Sequence, residues 1–431
     1  MKNILPLFLL IIFFNDSKNK KSDNSQLNLF KEFNYTYNST INENILFENI
    51  KLFKNSDNYI FRNFPRRNIE DMKEPTFTKY HKEKNEFIKW PDDNDYNENP
   101  KKDCNHFISI IDFEFNEHNI YLLDEGNEHC PVTLWVFNSQ GEHQLEFKIF
   151  EKNNHEIFLT NFVLDNINNY VYIPFYNLTD TDGNNNDYKS GIFVKKLNDN
   201  DYGKFKIVYL RDKIFFSDEK YNFENDFIQK YFPTIQNKTI NIALTCDAEY
   251  LLICPLSSRM IYSVLTSKLK DKSVNSISFN DVNEAYKNDA SSSLVLSNMD
   301  NLYLTGLEKN AIYFANQIQY DLSAFDFKLL DKKAHDKLGW PAKLSITEGV
   351  LYITSKKIEK IDENIYNISN QVFEVSIDDD NSYVYECAGV AYKWKFIAYF
   401  IWGIFALVVL FVFVFVYVEN DLDQELINKK K

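Results

Sequence analysis

Seven histidines (His81, His106, His118, His129, His143, His155 and His335) and five cysteines are the residues best suited to metal or nucleophilic chemistry. Their spacing does not organise it. His118, His129 and Cys130 are close in sequence but fit no zinc-ligand pattern, and no C-x-x-C occurs. The acidic stretch Asp180 to Asp187 (DTDGNNND) places Asn185 and Gly191 where a calcium loop needs Gly and Glu, so it reads as a solvated turn between strands. The signatures G-x-S-x-G, H-E-x-x-H, G-x-x-x-x-G-K-S/T and G-x-G-x-x-G are absent. These patterns lead us to expect no catalytic residue, no metal site and no cofactor. Asp124 and Gly126 read as turn formers.

The five cysteines are Cys104, Cys130, Cys246, Cys254 and Cys387. In a secreted chain they default to disulfides, and the odd count leaves one thiol over. Cys246 and Cys254 are close enough to sit on paired strands of one hairpin, and a bridge between them is expected.

The elements that must position these residues are strands. The chain has 431 residues, 44% of them hydrophobic, 16% aromatic and 26% charged, with 10 Gly and 10 Pro. That composition can bury a large core. A formal net charge of -14 and no basic face make nucleic acid an unlikely partner. Gln144 to Phe150, Lys204 to Leu210, Leu302 to Thr305, Val350 to Thr354 and Ser382 to Glu386 alternate apolar and polar residues, the period of half-buried strands. Asn/Asp-rich turns such as Leu197 to Tyr202 separate them, and Asn and Asp can take the left-handed conformations that few glycines are present to supply. Many short strands in one long body indicate an all-β propeller or a large sandwich.

Both ends point to the secretory pathway. Lys2 precedes an apolar run from Ile4 to Phe14, the pattern of a signal peptide over residues 1–16; no small-residue pair marks a cleavage site, so removal stays open. Residues 17–40 are polar and read as a flexible lead-in. Phe396 to Val418 is apolar, uncharged and longer than the about 20 residues that a membrane span needs. The expected order is therefore signal peptide, lead-in, β-body over 41–390, transmembrane helix over 396–418 and a short cytoplasmic tail over 419–431: a single-pass cell-surface protein with its body outside. Asn34, Asn38, Asn177, Asn237 and Asn367 head N-x-S/T triplets and are expected glycosylation sites on that body. The tail lacks Ser, Thr, Tyr and Cys, which favours an anchor over a signalling role.

Several phrases, in order, carry a resemblance. Cys104 opens a stretch with Leu122-Leu123-Asp124-Glu125-Gly126, Cys130-Pro131, Leu134 and Val136-Phe137. Phe158-Leu159-Thr160-Asn161, Tyr170-Val171-Tyr172-Ile173 and Gly191-Ile192-Phe193-Val194 follow, then Asn241 to Leu269, Ser291 to Ile312, Trp340-Pro341 and Gly349 to Ile358. Together they resemble the Yellow/major royal jelly protein family of arthropods across about residues 41–390. The resemblance implies a six-bladed β-propeller and a Cys104–Cys130 disulfide. It departs from the family in its expected membrane anchor and in the cysteine position occupied here by Tyr313 or Phe314, which would leave Cys387 as the odd thiol.

Family members differ in role: some bind biogenic amines in the central pocket, some are linked to dopachrome conversion in melanin formation, and royal jelly members are nutrient or lipid-associated. The resemblance places Phe175, Lys356 and Ile358 at pocket positions, where the family has an acid, an Asn and an aromatic. A lysine there would repel a protonated amine and suits an anionic or neutral ligand. The implied function is a non-enzymatic extracellular propeller that binds a small-molecule or protein ligand; the alternative is Yellow-type chemistry on dopachrome-like precursors.

Overall fold

The computed structural model describes residues 28–37, 51–54, 60–63, 65, 75–81, 83–84, 86–91, 95–97, 104–116, 118–150, 157–177, 190–197, 204–210, 240–256, 258–287, 289–298, 300–316, 327–330, 337–347, 349–362, 365–377, 400–412 and 414. Strand β1 (Asn28–Tyr37) comes first and is used last. Blade 1 then holds β2 (Leu52–Lys54), β3 (Ile60–Asn63), β4 (Phe77–His81) and β5 (Glu86–Lys89). Blade 2 holds β6 (Ile110–Phe115), β7 (Asn119–Asp124), β8 (Val132–Asn138) and β9 (His143–Phe150). Blade 3 holds β10 (Ile157–Leu159), β11 (Val163–Asp165), β12 (Tyr170–Asn177), β13 (Ser190–Lys196) and β14 (Lys206–Leu210). Blade 4 holds β15 (Ile240–Leu244), β16 (Tyr250–Pro255) and β17 (Met260–Leu265); the short β18 (Ser276–Ile277) returns to pair with β14, and β19 (Val282–Tyr286) completes blade 4. Blade 5 holds β20 (Leu294–Leu296), β21 (Leu302–Gly306), β22 (Ala311–Ala315) and β23 (Lys328–Leu329). Blade 6 holds β24 (Trp340–Thr347), β25 (Val350–Asp362) and β26 (Ile365–Ser376).

The result is a six-bladed β-propeller. β1 adds to the outer edge of blade 6 by antiparallel pairing with β26, so the first and last described strands close the ring. Within the expected flexible lead-in over 17–40, residues 28–37 form a strand, and the rest lies outside the described residues. Phe33, Tyr35 and Tyr37 alternate with Asn34 and Thr36, a strand period within a polar stretch, and pairing supplies the hydrogen bonds that an open edge would lack.

Neighbouring blades pack face to face through apolar clusters. Between blades 1 and 2 the filling is aromatic: Phe61, Phe77, Trp90, Phe107, Phe113 and Trp135 are all buried. Each fully buried side chain of this size contributes about 1.5–3 kcal/mol. Asn169, Asp300 and Asn310 take left-handed backbone angles at strand connections, where other folds use glycine. Ala248 does so as well.

The phrase around Asp124 is structural. Its carboxylate accepts hydrogen bonds from the amides of Ile108 (2.9 Å), Ser109 (2.8 Å) and Gly126 (3.1 Å) and from the Trp135 indole (3.3 Å). Gly126 has φ +62°, and a Cβ there would lie 2.4 Å from the Cys130 carbonyl oxygen. Cys104 and Cys130 are disulfide-bonded across this turn, as the resemblance implied.

The expected Cys246–Cys254 bridge is absent. Cys254 is a buried free thiol, while Cys246 is disulfide-bonded elsewhere. The hairpin register explains this. Cys254 on β16 faces Asn241, at the far end of the hairpin from Cys246. That offset is roughly 16 Å at a strand rise of about 3.3 Å per residue, far beyond disulfide reach. Cys387 lies outside the described residues.

Each blade's innermost strand has an edge with no strand partner, and side chains from the next blade supply hydrogen bonds there. The Asn161 amide does this most fully: Nδ2 donates to the Ile242 carbonyl (2.7 Å) and Oδ1 accepts from the Ile242 amide (3.1 Å), joining blade 3 to blade 4. The Cys246 amide donates to Asp300 (2.7 Å) between blades 4 and 5. The Leu344 amide donates to Ser293 Oγ (3.1 Å) between blades 5 and 6. On the outer part of the blade 4–5 interface, Arg259 forms a two-contact ion pair with Glu308 at 2.7 and 2.9 Å. Asp289 accepts the Glu308 amide (2.8 Å), and burial, with the nearby Glu308 charge, raises its pKa to about 7 against the amide hydrogen bonds.

Two outcomes are expected. Asn161→Leu orphans both polar groups of Ile242 and lowers unfolding free energy by about 1–3 kcal/mol in urea titrations; a loss indistinguishable from zero contradicts the latch role. An unfolded-chain Asp ionises near pH ~3.9, so between that value and about 7 the folded protein binds more protons at Asp289. Stability from this group therefore falls as pH rises through that window, and Asp289→Asn flattens the decline measured by thermal unfolding; an unchanged slope contradicts it.

Candidate functional site

The innermost strands of blades 2 to 6, with Lys51 just before β2 of blade 1, line a cavity on the propeller axis of about 260 Å³. Its wall is mixed. Val163, Leu244 and Leu296 are apolar contributors, while Lys51, Asp112, Glu114 and Lys343 form a charged group on one side. Asp112 and Glu114 are two apart on β6 and share a face of the strand. Lys51 immediately precedes β2, and Lys343 lies on β24.

Lys51 is the centre of this group. Its ammonium lies 2.5 Å from Glu114 Oε1, 2.6 Å from the Phe113 carbonyl oxygen and 3.2 Å from Asp112 Oδ1. The first two contacts are hydrogen bonds and the third is an ion pair. Burial alone would lower its pKa, but Asp112 and Glu114 outweigh burial and hold it above the ordinary lysine value. Asp112 also accepts the Phe162 amide of blade 3 through Oδ2 (3.1 Å).

Lys343 is held less closely. Its nitrogen is 3.6 Å from Asp112 Oδ1 and 3.4 Å from the Thr160 carbonyl oxygen. Its side chain is as enclosed as that of Lys51. Burial, assisted by the Lys51 charge, lowers the Lys343 pKa against the pull of both carboxylates. Glu114 moves the other way: burial and Asp112 raise its pKa against the two lysines. Glu114 sits deep in the protein yet keeps 28% of its side-chain surface accessible as part of the cavity wall. Burial thus disfavours the charged forms of both Lys343 and Glu114, and two lysines and two acids sum to no net charge.

The sequence-derived pocket residues lie elsewhere. Phe175 is on β12, buried between blades 2 and 3 with its ring 4.4 Å from Phe193. Lys356 is buried on β25 opposite Trp340. Ile358 is on the same strand opposite Ile368, and its side chain lies outside the described residues. Both strands are second from the axis in their blades, behind the strands that border the cavity. The cavity lysine of blade 6 is Lys343, on the strand inside Lys356. Lys51, Asp112, Glu114 and Lys343 were missed, although two acids alternating within the apolar IIDFEF strand were a legible sign.

Among the expected glycosylation sites, Asn34, Asn177 and Asn367 are on β1, β12 and β26, with side chains outside the described residues; Asn38 and Asn237 lie wholly outside them. Among the described residues, no three His, Cys, Asp or Glu side chains form a metal-ligand group. Residues 400–412 of the expected span are helical and exposed, but no helix among the described residues is long and apolar enough to cross a membrane.

No family model and no curated protein matches this chain. Solved structures resemble it weakly. A luciferin-regenerating enzyme is 12% identical with a TM-score of 0.43, covering 77% of this chain and 91% of its own. A catalytically inactive virginiamycin B lyase from Staphylococcus aureus with quinupristin is 9% identical with a TM-score of 0.43, covering 82% and 100%. A putative 6-phosphogluconolactonase from Bacteroides uniformis is 10% identical with a TM-score of 0.43, covering 75% and 80%. Such likeness carries no argument about activity, and the identification of this chain as a six-bladed propeller stands on its own sheet order.

Proposed function

We propose that this chain is a membrane-anchored extracellular propeller that binds a small ligand in its axial cavity without turning it over. The observation that carries this reading is the cavity itself: about 260 Å³, bordered by residues of all six blades, apolar over much of its lining and charged at one side. A concave, mostly apolar site with a few fixed polar groups is the usual form of a small-molecule pocket. Its volume suits a molecule of about one ring. The anchor is supported by the uncharged run Phe396 to Val418 and by the exposed apolar side chains of its described helical part, with Trp402 68% and Phe411 70% exposed. An uncovered apolar surface of that kind calls for lipid or protein around it.

Methyl NMR of the full-length protein tests the binding reading. Dopamine, benzoate and benzyl alcohol are titrated separately. At least one is expected to shift the resonances of Val163, Leu244 and Leu296 saturably while leaving Leu134, in the blade 2–3 core, unmoved. Dopachrome is expected to decay at the buffer rate in the presence of the protein. No saturable shift with any probe, or accelerated dopachrome loss, contradicts the reading.

A further inference from the structure

We propose that Lys343 captures a small aldehyde in the axial cavity as a reversible imine, an inference that rests on the cavity-binding reading above. The two cavity lysines are not equivalent. Lys51 donates hydrogen bonds to Glu114 and the Phe113 carbonyl and lies 3.2 Å from Asp112, contacts that favour its ammonium form, which has no lone pair to offer. Lys343 has only a 3.6 Å ion contact and a 3.4 Å hydrogen bond, and it forms part of the cavity wall. Desolvation by burial favours its neutral amine, as in other nucleophilic lysines.

The surroundings suit a carbonyl partner. With Lys343 neutral and Glu114 protonated, the charges of Lys51 and Asp112 balance, so a neutral ligand enters without leaving a buried charge uncompensated. A one-ring or short-chain aldehyde fits the volume and the apolar wall of Val163, Leu244 and Leu296. In the step itself, the Lys343 nitrogen lone pair forms a bond to the carbonyl carbon, and the C=O π pair moves to oxygen. After proton transfer from nitrogen to oxygen, the C–O bond breaks, water leaves, and the C=N bond forms. Nothing is oxidised or reduced. Glu114, on the same cavity wall and raised in pKa by burial, supplies the proton to the leaving hydroxyl and recovers one from nitrogen.

The test uses full-length protein, benzaldehyde at limiting concentration and cyanoborohydride, which reduces an imine to a stable secondary amine. Peptide mass mapping is expected to find the benzyl adduct on Lys343, with Lys51 unmodified and exposed lysines such as Lys148 labelled far less. Lys343→Arg, checked for folding by circular dichroism, is expected to lose that adduct. Benzaldehyde that shifts the cavity methyls but leaves Lys343 unlabelled overturns the imine while sparing the cavity reading. No methyl shift and no Lys343 adduct overturns both.

Discussion

The ammonium of Lys51 is the contact on which the centre of this propeller depends. It comes from blade 1 and satisfies two carboxylates of blade 2. One of those, Asp112, also accepts an amide of blade 3 and faces Lys343 of blade 6. Four blades therefore meet through one buried group. Burying carboxylates is costly unless they are paired, and Lys51 pairs with both through one nitrogen while hydrogen-bonding Glu114. Its demand for partners leaves Lys343 with weaker contacts, and that asymmetry gives the cavity its chemical character.

A second constraint acts around the ring. A propeller exposes the inner edge of every blade to its axis, and an unpaired strand edge is unstable in a packed interior. This chain answers with side chains: Asn161, Asp300 and Ser293 each bond to the backbone of the adjoining blade. Further out, apolar clusters hold the blades face to face, and β1 closes the ring by completing blade 6. The cavity is what remains where the inner strands cannot converge further.

Much of the fold was legible in the sequence because its signals are local. Alternation identified β9, β14, β21 and β25, and Asn and Asp do occupy left-handed turns. The Cys104–Cys130 bridge, which the resemblance implied, joins the segment before β6 to the β7–β8 connection. The site was less legible because it is assembled over long separations: Lys51 and Glu114 are 63 positions apart, and no pattern marks a strand as the innermost of its blade. The resemblance drew attention instead to Phe175 and Lys356, which stand on the second strands of their blades. The polar composition of residues 17–40 concealed β1. The Cys246–Cys254 pairing failed because the register of a hairpin, which spacing alone does not fix, puts the two at opposite ends.

The most direct measurement compares the unfolding free energies of Lys51→Met and Lys343→Met in urea at neutral pH. Lys51→Met leaves two buried carboxylates without their shared cation and is predicted to cost about 3–5 kcal/mol. Lys343→Met leaves Lys51 in place and is predicted to cost much less. Equal losses, or a Lys51→Met protein as stable as the wild type, would contradict the central role assigned to Lys51.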